Sequence, residues 1–84
     1  MAIKLLIYED NTRLRQSLEL LLSDGSGFVV AGAFPDCDAV EEQVRTMEPA
    51  LVIMDIDMPG MNGVEGVRRI KTEFPHIKVI MYTV

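Results

Sequence analysis

Leu51-Val52-Ile53-Met54-Asp55-Ile56-Asp57-Met58-Pro59-Gly60-Met61-Asn62-Gly63 carries four uninterrupted apolar residues straight into a carboxylate, and a Pro-Gly turn follows at once. A continuous apolar run bounded by turn signals predicts a strand buried on both faces, as in the middle of a parallel sheet. Asp55 then stands at the carboxyl end of a central strand, where open α/β sheets place their ligand sites. A charge in that position costs free energy unless a cation, a partner or an opening to water compensates it.

Upstream, Ile3 to Ile7 is a second apolar run, broken only by Lys4 and ending in Tyr8-Glu9-Asp10. It predicts a first strand with two carboxylates at its carboxyl end. Asn11 suits an N-cap, and Leu14, Leu18, Leu21 and Leu22 follow at the spacing of an amphipathic helix. Ser23-Asp24-Gly25-Ser26-Gly27 stops that helix, and Phe28 to Ala33 predicts a second strand. Asp36 is placed to cap a second helix whose apolar stripe is Cys37, Val40, Val44 and Met47, ended by Pro49. Downstream of the central strand, Asn62 or Gly63 opens a third helix carrying Val64, Val67, Ile70 and Phe74, closed by Pro75. Lys78 to Tyr82 predicts a fourth strand, followed by Thr83-Val84.

Strands alternating with helices of this length predict βαβ units and a parallel sheet, joined by right-handed crossovers. The expected fold class is α/β, a flavodoxin-like doubly wound parallel sheet of strand order 2-1-3-4. The switch point then lies between the first and third strands, so Glu9 and Asp10 face Asp55 across one crevice.

The 84 residues make one small domain, able to bury only about 60–65% of its unfolded surface. At 49% hydrophobic with mean hydropathy +0.21, the chain is apolar for its size, which predicts surface still to be covered. No apolar run approaches the roughly 18 residues of a membrane span, and the N-terminus lacks a signal-peptide pattern. Cys37 is the single cysteine, so no intrachain disulfide can form, in keeping with a reducing cytoplasm. A net charge of −5 argues against direct nucleic-acid binding by this segment.

Like charges about 4 Å apart repel by roughly 1 kcal/mol in water and by several times that near a protein surface. Glu9, Asp10 and Asp55 together therefore call for a proton or a cation. With oxygen ligands only and no His or Cys nearby, the choice is a hard cation. Mg²⁺ suits it, because it takes one or two protein carboxylates and completes its octahedron with water and phosphate oxygens; Mn²⁺ or Ca²⁺ could stand in its place. A metal-bound phosphoryl group beside a carboxylate suggests phosphoryl transfer, with an aspartate as nucleophile.

Glu9-Asp10 after the first strand, Asp55 after the third, Met58-Pro59-Gly60-Met61-Asn62-Gly63 and Thr83 after the fourth together resemble a response-regulator receiver domain, the phosphoacceptor module of two-component signalling. The resemblance implies that Asp55 accepts a phosphoryl group from a sensor histidine kinase or a histidine phosphotransfer protein. It implies Mg²⁺ ligation by the side chains of Asp10 and Asp55 and by the backbone carbonyl of Asp57, with Glu9 mainly orienting metal-bound water. Thr83 becomes the switch hydroxyl. Glu9 stands where the family more commonly has Asp. The module is a stoichiometric phosphoacceptor rather than an enzyme, and its parent a cytoplasmic transcription regulator.

The resemblance covers residues 1–84 but implies only the N-terminal two-thirds of the usual domain, without the fifth strand and last two helices. The fifth-strand Lys that pairs with phosphoryl oxygens has no counterpart here. Lys78-Val79-Ile80-Met81-Tyr82-Thr83 is then a bare edge of high β-propensity, and the Leu-rich first helix lacks a neighbour. Both features predict a homodimer or larger assembly. One alternative is a receiver-fold fragment that is not phosphorylated and acts through self-association. Another rests on Asp55-Ile56-Asp57, which also resembles the Asp-x-Asp nucleophile of haloacid-dehalogenase-type phosphatases. Against that stand Pro59, the third place of the motif in strand order and the acidic pair that precedes it.

Overall fold

The computed structural model describes residues 2–25 and 27–83; Met1, Ser26 and Val84 lie outside them. The elements run β1 (Ile3–Tyr8), α1 (Thr12–Ser23), β2 (Phe28–Phe34), α2 (Val40–Met47), β3 (Leu51–Asp55), α3 (Gly63–Glu73) and β4 (Lys78–Tyr82). The four strands are parallel and lie in the order β2-β1-β3-β4, the doubly wound arrangement expected from the sequence.

The two central strands explain the apolar runs. Along β1, Leu5, Leu6, Ile7 and Tyr8 are all fully buried, and along β3 so are Val52 and Met54. Strand residues alternate between faces. Leu6, Tyr8, Val52 and Met54 point to the side covered by α2 and α3, where they form one core with Cys37, Val40, Val44, Met58, Ile70 and Ile77. Each large aliphatic group buried there contributes about 1.5–3 kcal/mol. Leu5 and Ile7 take the opposite face, beneath α1.

Helix α1 begins as the sequence predicts, with Asn11 Oδ1 accepting from Leu14 N at 3.0 Å. Helix α3 does the same through Asn62 Oδ1 and Glu65 N, also at 3.0 Å. Glu65 in that first turn accepts from Arg68 and Arg69, which hold its carboxyl down to about 2. These pairs stand at the surface, where solvent screening leaves them little weight in stability.

Three expectations need correction. Asp36 does not cap α2: its Oδ1 accepts from Asp38 N at 3.1 Å, closing a local turn, and the helix begins only at Val40. Cys37 therefore lies on the lead-in turn rather than on the helical stripe, although it is buried. Val64 and Leu21 belong to the predicted apolar stripes of α3 and α1, yet they are 56% and 70% exposed. Helical drift carries each to the outer side of its helix.

Glu48 ends α2 in the left-handed conformation (φ 51°, ψ 56°), its N–H donating to Val44 O at 2.9 Å. A side chain in that region clashes with its own backbone, and glycine does not. Glu48→Gly should therefore raise unfolding stability by about 0.5–1 kcal/mol, net of the entropy glycine adds to the unfolded chain. Urea denaturation reads this as a higher midpoint at unchanged slope; a lower midpoint would show that Glu48 makes a contact worth more than the strain.

Candidate metal and phosphoacceptor site

The site is assembled from the carboxyl ends of β1 and β3. At the end of β1, Glu9 N donates to Phe34 O at 2.9 Å, which ties the backbone to the end of β2. Alternation then turns the Glu9 side chain inward, where it is 1% exposed, while Asp10 is exposed. Arg15 Nη1 donates to Glu9 O at 2.9 Å, so the first turns of α1 hold the same corner. At the end of β3, Asp55 is 3% exposed. Its Oδ1 accepts from Asp57 N at 3.1 Å, which folds the following loop back over the strand end.

Glycine fixes how closely that loop meets α3. Gly63 N donates to Ile56 O at 2.9 Å, and a Cβ on Gly63 would sit 2.1 Å from Asp55 O and 2.8 Å from Ile56 Cα. Backbone on both sides leaves nothing flexible to give way. Buried Met58 and the positive φ of Gly60 (71°) complete the turn.

Glu9, Asp10 and Asp55 each present a carboxylate oxygen, and these oxygens lie within 4.8 Å of one another. They face a crevice of about 210 Å³ lined by Glu9, Asp10, Asn11, Leu14, Asp55 and Asp57. The donor set is all oxygen, without His or Cys, and its mouth opens to water past exposed Asp10 and Asp57. That chemistry fits a hard divalent cation that keeps part of its hydration shell. Thr83 follows β4 and is exposed.

Tyr82, unremarked in the sequence, belongs to this site. Its hydroxyl donates to Glu9 Oε1, while Glu9 Oε2 accepts from Asn11 N at 2.8 Å. The register pairs Tyr82 with Asp55, and Tyr82 O accepts from Ile56 N at 2.9 Å. The aromatic side chain thus crosses the end of β3 to reach the end of β1. That parallel register was the available signal, since it sets the last residue of the fourth strand beside the last of the third. Burial raises the Glu9 carboxyl above its ordinary range; the Tyr82 and Asn11 donors pull it back, and Asp10 and Asp55 push it up. Burial, the bond to Glu9 and the nearby carboxylates raise the Tyr82 hydroxyl, so it remains a donor.

Residues 5–84 match the family described as the response regulator receiver domain. The response regulator GacA of Pseudomonas syringae is 33% identical over 82 residues, covering 98% of this chain and 38% of that protein. The transcriptional regulatory protein LnrK of Bacillus subtilis is 36% identical over 81 residues, 96% of this chain and 37% of that protein. The chain thus spans less than two-fifths of the length of these curated relatives. Among solved structures, the response regulator domain of Thermotoga maritima CheB superposes with a TM-score of 0.91 at 28% identity, over 99% of this chain and 61% of that one.

Gly63→Ala should therefore cost about 3 kcal/mol in stability, the penalty of forcing a methyl against close-packed backbone. Chemical denaturation measures it. A loss below about 0.5 kcal/mol would mean that α3 can back away from β3 and that Gly63 does not fix the Asp55 loop.

Proposed function

This chain belongs to the response regulator receiver domain family, and from that premise we propose that Asp55 is its phosphoacceptor, charged by a histidine kinase or a histidine phosphotransfer protein. The observation that carries the reading is the convergence of Glu9, Asp10 and Asp55 on one crevice at the sheet's switch point. One Asp55 oxygen attacks phosphorus, forming an acyl phosphate while the bond from phosphorus to the donor imidazole nitrogen breaks and that nitrogen leaves with the electron pair. Asp10 and Asp55 would hold Mg²⁺ by side chain and Asp57 by its carbonyl, with Glu9 orienting metal-bound water. Mg²⁺, when bound, neutralises the charge gathered on the carboxylates and the incoming phosphoryl oxygens. Asp57 N already donates to Asp55 Oδ1, which steadies the nucleophile.

The three lysines all stand at the other end of the sheet. Lys4 Nζ donates to Met47 O at 2.9 Å, Lys71 Nζ to Ile77 O, and Lys78 opens β4. Transfer within these residues then rests on the acidic crevice and its cation, with exposed Thr83 as the switch hydroxyl. The chain acts stoichiometrically, in the cytoplasm, on behalf of transcription regulation. No helix among the described residues is long and apolar enough to cross a membrane.

The reading is tested by intact-mass spectrometry after incubation with Mg²⁺ and a small acyl phosphate. One phosphoryl mass should appear, disappear with a chelator and be absent from Asp55→Asn. Unchanged mass in the folded wild-type protein would overturn phosphoacceptance by these residues.

A second proposal concerns assembly. Ile80 on edge strand β4 is 53% exposed, and Leu20 and Leu21 on α1 are 74% and 70% exposed. Such surface favours a homodimer or larger assembly that covers β4 and α1. Light scattering should give at least twice the mass of the 84-residue chain, and Ile80→Lys should reduce it to one; a wild-type monomer at millimolar concentration would contradict the proposal.

A further inference from the structure

The Tyr82 hydroxyl is a donor held against a carboxylate of the proposed cation site, from a strand that supplies none of the three carboxylates. Strands β1 and β4 flank β3, so about 9–10 Å separates their axes. Only two long side chains can meet across that gap, and Tyr82 and Glu9 do. The bond spans the end of β3, where Asp55 is the register partner of Tyr82. The other oxygen of Glu9 accepts from the backbone N–H of Asn11.

From this geometry, and resting on the metal reading above, we infer that Tyr82 is a positioning residue that holds Glu9 while the site is metal-free and releases it when the cation binds. The hydroxyl proton and a divalent cation are both positive, and both seek the same carboxylate charge. Bound Mg²⁺ would keep part of its hydration shell, and that water would compete with the Tyr82 hydroxyl for the Glu9 carboxylate. Glu9 would then be free to turn from Tyr82 toward the metal-bound water. Because Tyr82 O also accepts from Ile56 N, the side chain can leave while its backbone stays tied to the loop after Asp55. The loaded state of the crevice is thereby reported at the last residue of β4.

The chain contains two tyrosines and no tryptophan, which makes tyrosine emission a direct readout. A phenol hydrogen-bonded to a carboxylate is quenched, whereas Tyr8 donates to the neutral amide of Gln43 at 2.9 Å. Adding Mg²⁺ at constant ionic strength should raise the emission with the midpoint that calorimetry gives for binding. In Tyr82→Phe, shown folded by circular dichroism, the rise should vanish. Mg²⁺ should then bind about 3- to 10-fold more tightly, the equivalent of one ordinary hydrogen bond no longer broken on loading. Calorimetric binding without an emission change in the wild-type protein would overturn the inference and leave the metal reading standing, and so would equal or weaker affinity in Tyr82→Phe. No binding heat in either protein would overturn both.

Discussion

Repulsion among Glu9, Asp10 and Asp55 is the constraint on which the rest of this small domain depends. Their oxygens share a span of 4.8 Å, two of the three side chains are buried, and the charges would separate if the backbone allowed it. It does not. The end of β1 is tied to β2 through Glu9 N, and the residue after β3 is tied to β4 through Ile56 N. Helix α3 is pressed against the Asp55 carbonyl with no room for a Cβ at Gly63. Fully buried Tyr8 and Met54 stand immediately before the acidic residues, so moving either carboxylate would mean opening the core. Hydrophobic burial thus holds together what electrostatics would part.

That arrangement concentrates negative charge that a bound cation would compensate. Within the chain these carboxylates accept from the Asn11 and Asp57 backbone N–H groups and the Tyr82 hydroxyl. Each shares a proton with a carboxylate without neutralising it. A divalent cation would neutralise them more fully.

Much of this was legible in the sequence, for a specific reason. Strands buried on both faces have to be apolar throughout, so Leu51 to Met54 and Ile3 to Ile7 declared themselves and located the carboxylates that end them. The connection order then implied the sheet order, and the two helix caps at Asn11 and Asn62 were readable from residue type. What escaped was set by contacts distant in sequence or by local turn geometry. Asp36 looks like a helix cap, but it closes a turn two residues ahead instead. Val64 and Leu21 keep helical spacing yet sit just past the edge of the buried arc. Tyr82 reads as a strand residue of high β-propensity, and only the register with Asp55 and the length of Glu9 reveal its hydroxyl as part of the site. Gly63 is similar, because its necessity comes from the backbone it faces rather than from a left-handed φ.

The most direct test of a carboxylate cluster held together to receive a divalent cation is anomalous diffraction from crystals soaked in Mn²⁺. The account predicts one dominant peak in the crevice, within ligating distance of carboxylate oxygens of Asp10 and Asp55, with the Tyr82 hydroxyl no longer bonded to Glu9. A peak elsewhere on the chain, or a crevice without one at saturating Mn²⁺, would contradict it.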